Sequence, residues 1–349
     1  MDCKAIQDLP HDKLAAKNHR VPAVVTAHSS PMLALATHIA KLVMSKRRII
    51  EGHEGCASTP CSDCLSAPLD KITAFIEQSL PIHFILPAFP AKSPNLSKVL
   101  GPLPDLGERI SLQDLNSLCA QIEEMYSPGA RITICSDGRV FSDCVGVSDE
   151  DVSSYGQHIK DIIDEYRCTH IDLFRLEDHF KEGDFDAIRR RLVDEHGRTV
   201  EELKELIKSD PETKNMFNGI HRFMYTDLKA RRAELSNSKL REESKDLAYH
   251  VIIRSNAWSG LVESLFPSAL RLSIHPQHPH SRKIGIKLME CDDIWRTPWH
   301  GAVLDDGQKY RLMSRGDIEK LPVDLVYENG RPLYYVLRRY QREAATASV

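Results

Sequence analysis

Apolar positions recur along the chain in two rhythms, one near 3.6 residues and one near two, and their order outlines a fold. Residues 32–48 read as a helix, with Ser29 or Ser30 as cap, Pro31 in the first turn and the basic end "KRR". "LDKITAFIEQSL" (69–80) is a second helical pattern, and it runs into "PIHFILPAF", an apolar stretch of strand character. "SLQDLNSLCAQIEEMY" (111–126) places Leu112, Leu115, Leu118, Cys119 and Ile122 on one helical face. The strand "ARITICSD" follows, then a turn at "SDGR" and a short strand around "VFSDCVGV". Strand, helix and strand in this order favour a largely parallel sheet with helices outside.

Residues 149–247 read as almost wholly helical and highly charged, with Asp184 and Thr199 as caps and Gly197 as a stop. This block reads as a helical insertion or lid that carries little chemistry of its own. Beyond it, a helix ends near Phe266. Short strands follow at "ALRLSIHP", "KIGIKLME", "HGAVLDD", "KYRLMS" and "LVYENGRPLYYVLRR", the last one folded back by the "ENGR" turn at Asn329 and Gly330. The expected class is α/β: a Rossmann-like, mostly parallel or mixed sheet flanked by helices, with a charged helical insertion.

The 349 residues are ample for a real core, and 46 basic against 50 acidic residues leave a net charge of −4. No basic excess points to nucleic acid, so any phosphate recognition has to be local. The longest apolar stretch, "MLALATHIAKLVM", is too short to span a bilayer, and the first residues lack the apolar core of a signal peptide. A soluble cytoplasmic protein is expected, with no membrane partner. Nine cysteines, mostly single and in apolar settings, suit a reducing compartment.

Three clusters hold candidate chemistry. "PAFPAKSPN" and "SDGRVFSD" follow successive strands, and in open α/β sheets such loops meet over one pocket. They offer Lys92, Ser93, Asn95, Asp137 and Arg139, although both also read as stiff surface turns. "RLSIHPQHPHSRKIGIK" supplies His275, His278 and His280 with Arg271, Arg282, Lys283 and Lys287; the histidine spacing matches no compact helical zinc motif, and the set suits phosphate or carboxylate better. Arg271, Ser273 and His275 share one strand face. "WRTPWH" combines Arg296, Trp299 and His300, apolar walls with polar handles. A weaker fourth cluster, His53, Cys56, Cys61 and Cys64, has ligand types that fit a structural zinc, but it is compressed into "HEGCASTPCSDC". The chain shows no nucleophile elbow, dinucleotide fingerprint or phosphate-loop pattern.

"LPAFPAKSPN", "KVLGPLPDLGE", "ITICSDGRVFSD", "LRLSIHP" and "TPWHGAV", in this order, resemble the pyoverdine/dityrosine biosynthesis family, the isocyanide (isonitrile) synthases, in a fungal-like form. The resemblance implies an enzyme that converts the α-amino group of an amino acid into an isonitrile in secondary-metabolite biosynthesis. The carbon comes from carbon 2 of ribulose 5-phosphate, a co-substrate, and no metal or redox cofactor is required. Fusion to a nonribosomal-peptide-synthetase-like enzyme is a further implication. The segments become a lead-in (1–68) with the Cys/His cluster, a catalytic domain (69–340) and a tail (341–349).

Condensing an amine with a ketone needs an acid, a base and cations for phosphate and carboxylate. Lys92, Asp137, His275 and His300 are the expected catalytic groups, with Lys92 near the reacting ketone as Schiff base, polariser or phosphate anchor. Ser93, Asn95, Arg139, Arg254, Arg271, Lys287, Arg296 and Trp299 are the expected substrate contacts. The amino acid itself, whether tyrosine, tryptophan or an aliphatic such as valine, is not readable. Two rival readings are a sugar-phosphate lyase or aldolase and a non-enzymatic zinc- or copper-binding protein.

Overall fold

The computed structural model describes residues 31–50, 56 and 59–338. Helices α1 (Pro31–Ser45) and α2 (Ser62–Glu77) precede strand β1 (Ile82–Pro87), and helix α3 (Leu106–Met125) leads to β2 (Ala130–Ser136). Next come α4 (Gly138–Val145), α5 (Asp149–Glu165) and β3 (Ile171–Arg175). A helical block comprises α6 (Leu176–His179), α7 (Phe185–His196), α8 (Val200–Ser209), α9 (Pro211–Arg231) and α10 (Asn237–Leu265). The chain then forms β4 (Leu270–Ser273), β5 (Ile284–Gly285), β6 (Ala302–Asp305), β7 (Tyr310–Met313), α11 (Arg315–Ile318), β8 (Val323–Glu328) and β9 (Arg331–Leu337).

The first five strands pair in parallel in the order β3-β2-β1-β4-β5. Ile82, Phe84 and Leu86 of β1 join Ile132 and Ile134 of β2 under α1, α2, α3 and α5, whereas Ile85 and Cys135 face α7 and the C-terminal half of α10. Burial on both faces explains why these strands read as continuous apolar runs rather than alternating ones. The expected α/β class, a parallel sheet with helices on both faces, is the one observed. A second sheet, β7-β6-β9-β8, closes on the "ENGR" hairpin, where Asn329 and Gly330 take the positive φ that a tight primed turn requires.

Several local expectations are corrected. The segment "GRVFSDCV" is helix α4 rather than a strand, because Val140 and Cys144, spaced by four, both point into cores. The block after 149 is interrupted by β3, an edge strand with only Ile171 buried, too polar to stand out in the sequence. Helix α2 begins at Ser62 and runs across the expected boundary at residue 68, since Pro68 sits inside it. Helix α3 begins at Leu106, five residues early, because Asp105 and Glu108 form a capping box. Ser29, Ser30, His53 and the tail lie outside the described residues, among which no helix is long and apolar enough to cross a membrane.

Candidate active site

Strand order reverses between β1 and β4, and at such a point the loops beyond the strand ends diverge and leave a crevice. A cavity of about 190 Å³ opens there. Its polar end is built from the loop after β1 (Lys92, Ser93), the end of β2 (Asp137), the end of β4 (Arg271, Ser273, His275), and Lys283 and His300. Its apolar wall comes from α9 and α10, with Met216, Phe223, Ile252 and Trp258, and from Phe141 of α4. Through Met216 and Phe223 the charged helical block thus borders the cavity, with apolar side chains. Beyond that block, Ser255 and Asn256, polar residues in the apolar run "VIIRSNAW", face the same cavity.

The loop after β1 is held by backbone geometry as well as by its prolines. Phe89 adopts a positive φ of 57° and packs its ring against Trp299 at 5.3 Å. Ser136 donates its hydroxyl to the Phe89 carbonyl at 2.9 Å. A Cβ on Gly138 would stand 1.8 Å from the Pro90 carbonyl oxygen, so only glycine lets the "SDG" turn approach "PAFPAK" this closely.

Lys92 is 2% exposed. Its ammonium lies 2.7 Å from Asp105 and 2.9 Å from Glu108 and donates to the Pro298 carbonyl at 3.0 Å. Burial favours the neutral amine, but the two carboxylates outweigh it and hold Lys92 above the usual lysine range. Held in this way the amine keeps its proton, which the expected Schiff-base role would require it to lose. Burial pushes Glu108 up to about 7 against the pull of Lys92, and Tyr155 donates its hydroxyl to the same carboxyl at 3.2 Å. The motifs "AFPAKSPN" and "PLPDLGE" are two halves of this one ion-pair cluster.

Asp137 is the group best suited to proton transfer. The residue is half-buried, its Oδ1 is shielded from water without a hydrogen bond, and desolvation pushes the carboxyl up to about 7 despite the pull of Arg271. A carboxyl poised there exists in both forms at neutral pH. His300 takes the opposite shift: burial, then Lys98, His275 and Lys92, drive it well below the usual histidine value, so its ring is neutral. Its Nδ1 meets the Thr297 hydroxyl at 3.1 Å, and its ring lies edge-on to Phe223.

The cavity brings together Lys92, Ser93, Asp137, Arg271, His275, Trp299 and His300 from the expected site. Other expected contacts do not line it. Arg139 is spent on Asp149 at 2.8 Å and Ser153 at 2.8 Å and stacks over Phe185. Arg254 pairs with Asp143, and Lys287 pairs with Glu290 at 2.5 Å near the surface. Arg296 approaches Asp293 at 3.4 Å, and Asn95 caps its own loop through Ser97. Arg139 is the second residue of α4, so helical phase sets where its guanidinium points, which the reading of "SDGR" as a turn did not provide. Cys56, Cys61 and Cys64 gather away from the cavity, with His280 beside them.

Residues 72–326 match the family of pyoverdine/dityrosine biosynthesis proteins. The chain is 50% identical over 301 residues to L-tryptophan isonitrile synthase AmbI2 of Fischerella ambigua, covering 86% of this chain and 91% of that one. It is 42% identical over 284 residues to the L-tyrosine isonitrile synthase of Pseudomonas aeruginosa, covering 80% and 87%. The crystal structure of PvcA from Pseudomonas aeruginosa superposes with a TM-score of 0.80 at 39% identity, over 87% of this chain and 99% of that one. The chain belongs to the pyoverdine/dityrosine biosynthesis family, as one of its isonitrile synthases.

Proposed function

We propose that the chain converts the α-amino group of an aromatic L-amino acid into an isonitrile, taking the carbon from carbon 2 of ribulose 5-phosphate. The observation that carries this reading is the cavity's division into an apolar wall and a cationic, proton-handling end. The side chain of the amino acid lies against Phe223, Ile252 and Trp258. Tryptophan is favoured, since a relative 50% identical is a tryptophan isonitrile synthase. Arg271 and Lys283 take the phosphate and the carboxylate, as charge-assisted donors suited to both.

The first step is a condensation: amine and ketone form an imine and release water. Asp137 in its protonated form gives a proton to the departing oxygen, and as carboxylate it takes one from the ammonium. Neutral His300, and His275 beside Trp295, offer ring nitrogens for the remaining transfers. Lys92 holds the loop instead of forming the imine, because its three protons are already donated. The test is mass spectrometry after incubating the protein with ribulose 5-phosphate, labelled with 13C at carbon 2, and each of tryptophan, tyrosine and valine. A labelled isonitrile of tryptophan is expected. Turnover of the sugar phosphate without any isonitrile would overturn the reading in favour of a lyase.

A further inference from the structure

Three thiols and one imidazole converge from two distant parts of the chain. Cys56 precedes α2, Cys61 caps its start, Cys64 lies in its first turn, and His280 comes from the "HPQHPH" loop between β4 and β5. The Cys61 sulfur is 3.6 Å from that of Cys64 and 3.4 Å from His280 Nε2, and the Cys56 sulfur is 3.8 Å from the same nitrogen. All four ligand atoms lie within 4.8 Å of one another. Bonds of about 2.3 Å to sulfur and 2.0–2.1 Å to nitrogen give tetrahedral edges of about 3.8 Å between sulfurs and about 3.6 Å between sulfur and nitrogen. These three spacings are close to those edges, whereas a disulfide would need about 2.05 Å.

Surroundings give the cluster a purpose. Just before it, residues 46–50 lie as a strap across the loop between β4 and β5: Arg48 N donates to Gly285 O at 2.7 Å, and Ile50 N to Gln277 O at 3.1 Å. The Arg48 guanidinium donates to the carbonyls of Ile294 and Arg296 at 2.9 and 3.2 Å, tying in the segment before His300. The same loop carries His275 and Lys283 into the cavity. None of the four cluster residues lines that cavity, and four protein ligands leave no open position for substrate.

We propose that Cys56, Cys61, Cys64 and His280 form a structural Zn2+ site that pins the His275–Lys283 loop to the start of α2. Soft thiolates with one imidazole suit zinc at tetrahedral geometry. The site stands independently of the isonitrile reading.

The test is elemental analysis of the full 349-residue chain, without a histidine tag, purified under reducing conditions from zinc-supplemented medium. One zinc per chain is expected, with X-ray absorption showing three sulfur neighbours and one nitrogen. Cobalt added to metal-stripped wild-type protein should give the thiolate-to-cobalt absorption of a tetrahedral site, a readout that does not depend on any variant folding. C61S and H280Q should each lose the zinc, while H278Q keeps it. Metal-free protein with free thiols, bound copper, a Cys56–Cys61 disulfide, or zinc retained by C61S would each overturn the proposal.

Discussion

The Lys92 ammonium and the Asp105 carboxylate stand 2.7 Å apart with almost no access to water, and Glu108 completes the cluster from the first turn of α3. Removing one partner of a buried pair leaves an uncompensated charge, which costs about 3–5 kcal/mol. Lys92→Ala is therefore expected to lower the melting temperature sharply. Lys92→Met combined with Glu108→Gln should cost less than Lys92→Met alone, a coupling that thermal denaturation of the set would read. A Lys92→Ala protein that melts like wild type yet forms no isonitrile would return Lys92 to the chemistry.

Asp137 makes a different prediction. Its native pKa of about 7 lies above the unfolded value of 3.8, so the native state holds its proton longer than the unfolded chain does. Its contribution to stability therefore falls as pH rises from about 4 through 7 and is least favourable above 7. Asp137→Asn removes that penalty. The variant should be at least as stable as wild type at pH 8, while kcat drops by roughly 10²–10⁴-fold, the usual worth of a positioned acid or base. The inflection near pH 7 in the wild-type rate profile should vanish as well. An unchanged profile would dismiss Asp137 as the proton carrier.

Arg271 and Arg139 separate binding from structure. Arg271→Ala should raise KM for the sugar phosphate or the amino acid by about 10–100-fold, the worth of a charged hydrogen bond of about 1.5–3 kcal/mol. Arg139→Ala should instead destabilise the fold by abandoning Asp149, and leave KM near wild type in protein that remains folded. Equal KM effects in both variants would contradict this division.

The apolar wall sets selectivity. Ile252→Trp fills part of the cavity from α10 and should depress turnover of tryptophan more than that of valine in direct competition. Unaltered competition would place the side chain elsewhere.

Much of the scaffold was legible because its signals are local. The apolar runs of β1 and β2, the caps at Asp184 and Thr199, and the "ENGR" hairpin each depend on a few neighbouring residues. The edge strand β3 has only Ile171 buried and gave no pattern, and α4 was read as a strand because its eight residues hold a single helical repeat, Val140 to Cys144.

By itself the sequence determined the α/β class, the family motifs and the residue types at the mouth of the sheet. Tertiary structure alone decided which charges are spent on the fold and which face the cavity. Lys92 was conspicuous in its proline-rich loop, yet its partners arrive thirteen and sixteen residues later, on the first turn of α3. His280 reaches its three cysteines across more than two hundred residues. A buried charge is governed by whichever group lies within a few ångströms of it, and that distance is set by packing, not by position along the chain.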